Sequence, residues 1–384
     1  MRGRLPVGVV ALGFVSLFMD ISSEMIHALL PLFLTGTLGA TALAVGLIEG
    51  AGEGLAQVVK VFSGAWSDRI GRRKPLLMAG YGLAMLTKPF FALATGAGVV
   101  LGARLADRLG KGIRGAPRDA LVADLVPPER RGEAYGLRQS MDTVGAFVGP
   151  LLAIGLMWLW QGDIRRVFWV AAVPALVAVA VLWVFVREPA RPLVPMAAPP
   201  RFGRAQLRAL GPAFFHVTLF GAALALARIS EAFLILKASD AGLAALWAPA
   251  IFVVLNLVYG ATAWPVGILS DRIGASGLLR LSILTLAAAH GLFALGGGLV
   301  AVFLGVALWG LHMGLSQGLL AALVARSAPA ELRGTAFGLF NLVGGFATLL
   351  ANAMAGAFWV EAGPVATFAV AGAGALLALL LAPR

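Results

Sequence analysis

The chain has 384 residues, of which 60% are hydrophobic and 12% charged, with a formal net charge of +12 and no cysteine. A soluble domain carries about 25% charged residues, so there are too few here to cover a water-facing surface. Disorder, collagen and a disulfide scaffold are excluded by the apolar content, the lack of a glycine triplet and the missing cysteine.

What remains is an all-α membrane protein. A crossing helix needs about 20 mostly apolar residues, and the chain offers twelve such spans. Span one (6–34) starts directly after Met1–Arg4 with no cleavage site, and carries Asp20, Glu24 and His27. Their spacing of 4 and 3 puts them on one helix face. Span two (43–65) has a second such face in Glu49, Glu53, Gln57 and Lys60. It leads into a polar loop, Gly64 to Lys74, containing Asp68, Arg69, Gly71, Arg72 and Arg73. Span three (75–94) holds Lys88. Span four (97–116) is the most charged: Asp107, Lys111, Arg114 and Arg118 form one stripe, bordered by Arg104 and Arg108. Span five (133–158) carries Arg138, Asp142 and the run Gly145-Ala-Phe-Val-Gly149-Pro150. Span six (165–186) opens on Arg165 and Arg166.

Residues 188–206 hold five prolines and three arginines, a composition that favours extended chain. They predict a cytoplasmic linker between an N-terminal bundle (1–187) and a C-terminal bundle (207–384). Spans seven to twelve follow near 208–237, 243–266, 277–296, 299–325, 335–358 and 363–382. Their in-span charges are few: Arg228, Glu231 and Lys237.

The two bundles repeat each other. Ser67-Asp-Arg-Ile-Gly71 recurs 203 residues later as Ser270-Asp271-Arg272-Ile-Gly274, and Glu129-Arg-Arg-Gly132 is echoed by Glu331-Leu-Arg-Gly334 at an offset of 202. Parallel repeats of six spans are expected to be related by an axis along the membrane normal. With the N-terminus inside, eighteen Lys and Arg fall on inside segments and two, Arg165 and Arg166, on an outside loop. That asymmetry predicts cytoplasmic termini and explains the net charge without nucleic acid as a partner.

Twin six-span halves, a basic central segment and the Gly64–Lys74 loop resemble the major facilitator superfamily over the whole chain. The resemblance implies twelve transmembrane helices in two pseudo-symmetric six-helix bundles. It also implies a gating role for Gly64, Asp68, Arg69, Gly71, Arg72, Asp271 and Arg272, whereas a plain topology role suits Arg73 and Lys74 better. The run Gly145, Gly149, Pro150 is similar to a motif of the superfamily's proton-driven exporters, with Ala153 in place of its last glycine; glycines four apart also serve tight packing.

Charges inside a membrane are costly and face a cavity or a partner. Asp20, Glu24, His27, Glu49, Glu53, Arg104, Asp107, Arg108, Lys111, Arg114, Arg118, Asp142 and Glu231 are therefore the expected cavity residues, with Asp20 or Glu24 carrying a proton. The first half is rich in both signs, so charge does not name an anionic substrate. The expected function is proton-coupled export of a small polar or amphipathic solute by a monomer in a bacterial cytoplasmic membrane, with lipid, protons and the solute as its partners. The alternatives are a divalent-metal or metal-chelate exporter, using Asp20, Glu24 and His27 with His312 or Glu231, and a non-transporting sensor or scaffold. No Walker loop, catalytic motif or cofactor motif is present, so neither an enzyme nor a cofactor is expected.

Overall fold

The computed structural model describes residues 5–189, 203–329 and 332–382; the side chains of residues 65, 68, 128, 204–206, 264, 268, 271–273 and 333 are not described. In lipid every backbone N–H and C=O has to find its partner within the protein, which a helix does within its own segment, and the described residues form helices and no strand. We number the principal helices α1 (Val7–His27), α2 (Ala42–Ile70), α3 (Lys74–Leu93), α4 (Ala97–Asp124), α5 (Arg131–Leu159) and α6 (Ile164–Phe185). They continue as α7 (Gly211–Ala227), α8 (Ala232–Asp240), α9 (Ala250–Ile273), α10 (Ala275–Leu295), α11 (Gly298–Ser327) and α12 (Arg333–Leu380).

Ten stretches of the described residues are long and apolar enough to cross a membrane. The stretch Gly334–Leu380 is far longer than one crossing needs. It bends at Gly363, where φ is 81° and ψ 176°, followed by Pro364. Only glycine takes that conformation cheaply, and proline suits the first turn of the next helix. α4 spans 28 residues but is too charged to be counted among the ten.

Two expected spans are interrupted. Span one ends its regular helix at His27 and resumes through Leu30–Leu32 and a π turn, Phe33–Thr37. Pro31 cannot donate to the His27 carbonyl, which explains the break. Span seven parts into α7 and α8 at residues 228–231. The two breaks lie at matching places of the repeat, near the 202-residue offset.

The chain forms two compact units: residues 1–29 with 55–199, and residues 30–54 with 200–384. In the first unit α1 packs on α5 and α6, and α3 packs on α4 and α6. In the second, α7 packs on α12 and α10 on both α11 and α12, the same plan, with α9 on α11. Most of the expected linker, residues 190–202, lies outside the described residues; a short helix, Arg204–Ala209, starts at its end.

Residues 30–54, expected with the N-terminal bundle, group with the later chain for a steric reason. Gly46, Gly50 and Gly54 press the start of α2 onto α12: a Cβ on Gly46 would lie 2.2 Å from the Asn352 carbonyl oxygen, and one on Gly54 2.9 Å from that of Gly345. Gly356 of α12 returns the contact against Ala42 and Leu43.

Each unit has an apolar core: Leu12, Val15, Met19, Leu77, Ala178 and Leu182 in the first, and Phe214, Val217, Val324 and Ala336 in the second. Large apolar side chains such as Trp158, Trp183 and Leu295 point outward, as a lipid-facing surface requires. Arg165 and Arg166 also find their explanation. Arg165 donates to the Ala92 carbonyl at the C-terminal end of α3 (2.7 Å), where a cation offsets the helix dipole. Arg166 pairs with Asp163 at 3.0 Å, and Asp163 accepts the Arg166 backbone N–H to cap α6.

Candidate functional site

The first unit gathers most of the expected cavity residues on three helices. Gly145 and Gly149 of α5 lie against the backbone of α1, where added Cβ atoms would sit 2.6 Å from the Leu17 carbonyl oxygen and 2.8 Å from that of Ile21. The same two positions would meet the Cβ atoms of Asp20 and Glu24 at 3.0 and 2.9 Å. The glycine run is thus a packing device, and what it packs is the acidic face of α1.

The facing groups come from α4. Glu24 is within electrostatic reach of Lys111 and Arg108, and its Oε2 lies 3.9 Å from His27 Nδ1. Asp20 is within reach of Arg114, Arg118 and Asp142. Arg118 donates to Ser16 Oγ at 3.1 Å and lies 3.4 Å from Asp119 and 3.9 Å from Asp142. Arg138 of α5 bonds Asp142 and Gln139 and lies 3.8 Å from Asp119. The stripe on α4 therefore faces carboxylates of α1 and α5 inside one unit.

Asp107 belongs to a different pair. Its Oδ1 accepts from Lys88 Nζ at 2.9 Å, and both side chains are almost fully buried. Lys88 also donates to Ser23 Oγ at 3.2 Å, tying α3 to α1, and Arg108 Nε lies 3.9 Å from Asp107 Oδ2. Nearby, Gly80 and Gly110 let α3 and α4 touch: a Cβ on Gly80 would be 2.6 Å from the Gly110 carbonyl oxygen. That approach lays the Arg114 guanidinium 4.5 Å from the centre of the Tyr81 ring, a cation–π contact.

Other expected site residues fall elsewhere. Glu49, which is buried, and Glu53 sit in residues 30–54 of the second unit. Glu231 lies at the break between α7 and α8. His312 is bonded through Nδ1 to Ser282, at 2.8 Å to the hydroxyl and 3.0 Å to the carbonyl oxygen. Among the described residues no three His, Asp or Glu side chains are placed to hold a metal ion, so Asp20, Glu24 and His27 do not converge as the metal alternative requires.

Of the expected polar loop, residues 64–70 continue α2 and only residues 71–73 connect it to α3; Arg69 and Arg72 are exposed, while the side chains of Asp68, Asp271 and Arg272 lie outside the described ones. Arg73, which the sequence suggested was a topology charge, is buried instead. It bonds Asp124 at 2.8 Å and Ser67 Oγ at 2.6 Å. Its backbone N–H and that of Lys74 both donate to the Glu188 carboxylate, which caps the N-terminus of α3.

Sequence reasoning missed how the break in the second unit is repaired. His290 Nε2–H donates to the Ala227 carbonyl (3.0 Å), and Asn352 Oδ1 accepts the Ser230 N–H (2.6 Å). Ser230 Oγ accepts from the Ala232 N–H at 3.2 Å. A broken helix in lipid leaves backbone groups that must be satisfied. The available signal was polar residues, Ser230, His290 and Asn352, in otherwise apolar spans.

A family model described as Major Facilitator Superfamily matches residues 12–352. An uncharacterized MFS-type transporter of Methanocaldococcus jannaschii is 31% identical, over 98% of this chain and 94% of its own. A multidrug resistance protein, MdtH, of Photorhabdus laumondii is 33% identical over 46% of this chain and 40% of its own. Among solved structures, a crystal structure of a peptide transporter aligns with a TM-score of 0.81 at 16% identity, covering 99% of this chain and 94% of that one. A structure of the nucleoside transporter NupG gives 0.77 at 14%, covering 97% and 98%.

Proposed function

The chain belongs to the major facilitator superfamily of membrane transporters, and on that premise we propose that it is a secondary transporter exporting a small polar or amphipathic solute in exchange for protons. The observation that carries the proposal is the acidic face of α1, held by Gly145 and Gly149 within reach of the basic stripe of α4. Ions buried in one unit, on facing helices, suit a group that changes partner as access alternates. A proton arriving from outside neutralises Asp20 or Glu24, weakens its hold on Arg108, Lys111, Arg114 or Arg118, and allows the emptied carrier to return. The similarity over part of the chain to proteins named for multidrug resistance favours the outward direction.

In the same proposal the bundles 1–187 and 207–384 rock about the central site. Gly64, Asp68, Arg69, Gly71 and Arg72, with Asp271 and Arg272, act as the gate at one end. The setting is a bacterial cytoplasmic membrane with both termini inside, and the working form is a monomer. A metal-ion cargo is not favoured, given the scattered ligands.

The test uses inside-out vesicles with a pH-sensitive dye and a panel of cationic, zwitterionic and neutral drugs. At least one compound is expected to discharge the pH gradient in vesicles holding the wild type. Glu24→Gln should abolish that discharge while exchange of labelled for unlabelled compound survives. Silence of the wild type across the panel would sink the coupling, and full activity of the variant would remove Glu24 from it.

A further inference from the structure

The second unit contains a cavity of about 350 Å³ whose lining includes none of the acids of α1 and no residue of 64–74. Its lining includes Thr35, Thr41, Ala42, Asp240 and Trp359. We infer that this cavity binds a protonated amine, through the Asp240 carboxylate and the Trp359 ring.

The chemistry follows from what each lining group has left to offer. Asp240 is half exposed, and only its Oδ2 is engaged, by Lys237 Nζ at 3.4 Å. Its Oδ1 carries no bond among the described residues and is open to a donor. Trp359, held by ring contacts to Phe233 at 5.7 Å and Phe368 at 6.1 Å, lines the space, and an indole ring attracts a cation. The hydroxyls add acceptors. Thr35 Oγ1 donates its proton to the Pro31 carbonyl at 3.0 Å, which leaves its oxygen lone pairs to face a donor. Thr41 Oγ1 accepts the Ala44 N–H at 3.2 Å and keeps a second lone pair. Carboxylate, indole and hydroxyl oxygens together match an ammonium group, beside the Lys237 ammonium already on Asp240 Oδ2. The volume admits a compound of about one ring with a short amine arm.

The place in the fold gives such binding a consequence. Ala42 and Trp359 flank the contact in which Gly356 of α12 meets Ala42 and Leu43. A ligand lying across Thr41, Ala42 and Trp359 ties the start of α2 to α12. The amine is carried by a free solute or by an aminophospholipid headgroup; the chemistry is the same.

The test is binding alone, so it stands or falls separately from the transport proposal. Full-length protein purified in detergent is titrated with benzylamine and with benzyl alcohol, read by thermal unfolding and tryptophan fluorescence. Benzylamine is expected to raise the unfolding midpoint and benzyl alcohol to leave it. Asp240→Asn should weaken benzylamine by about tenfold or more. Lys237→Met, which frees the whole carboxylate, should strengthen it several-fold, and a misfolded protein cannot produce a gain. Equal response to amine and alcohol, an unchanged Asp240→Asn, or no benzylamine response up to about 10 mM would overturn the site. In nanodiscs, loss of the benzylamine response in phosphatidylethanolamine with retention in phosphatidylglycerol assigns the headgroup. Retention in both assigns a free solute. Either result supports the amine chemistry.

Discussion

The two units share one packing plan and use buried polarity in opposite ways. α4 of the first unit carries Arg108, Lys111, Arg114 and Arg118; at the 202-residue offset α11 carries Gly310, Met313, Ser316 and Leu320. The first unit buries ions and joins them across helices, as Lys88 and Asp107 join α3 to α4. The second also buries Glu49, but it spends neutral groups, His290 and Asn352, on a broken backbone. Ions change partner when a proton arrives; amides and imidazoles bonded to backbone hold one shape. The proton exchange proposed above draws on the first of these two uses.

The sharpest way to break that contrast is to strip one partner from the buried ion pair. Lys88→Met takes from buried Asp107 its nearest partner, leaving Arg108 at 3.9 Å, and should cost about 3 kcal/mol, the low end for a broken buried pair, whereas Lys88→Met with Asp107→Asn should recover much of it. A double-mutant cycle in detergent unfolding checks this. Additive losses would mean that the pair is not a unit.

Gly149→Leu comes next. Its side chain must displace α1 at Ile21 and Glu24, which overpacking puts at about 1–3 kcal/mol, and drug-driven proton flux should fall further than stability does. Equal activity at reduced stability would separate the glycine face from the site.

In the second unit Asn352→Ala removes the acceptor of the Ser230 N–H, at about 1–3 kcal/mol. Hydrogen exchange should rise at residues 229–232 and nowhere in the first unit. Asn352→Asp, which keeps an acceptor, should restore the protection.

The smallest effect is expected at Arg165→Ala, which loses a bond to the last turn of α3 worth about 0.3–1 kcal/mol. Its measurement is a small fall in unfolding midpoint with unchanged proton flux.

Much of the fold was legible because lipid leaves the backbone few choices. Span positions, the internal repeat and the charge stripes follow from hydropathy and spacing, and α3, α5, α6, α10 and α11 start and end within a few residues of the expected limits. The site was legible only as a set of ionisable residues. Spacing placed Asp107 on the same stripe as Lys111 and Arg114, yet Asp107 is taken by Lys88 from a neighbouring helix. Arg73 looked like one more inside charge, yet it is buried against Asp124, Ser67 and Glu188.

By itself the sequence determined that this is a helical membrane protein of two repeated halves, with its ionisable groups concentrated in the first. Those are properties of composition and period, which no packing can change. Tertiary structure decided who pairs with whom, that residues 30–54 join the later unit through Gly46, Gly50 and Gly54, and that span seven breaks at 228–231. Pairing and breaking depend on which atoms of distant segments come within about 3 Å, and a one-dimensional pattern holds no such distances.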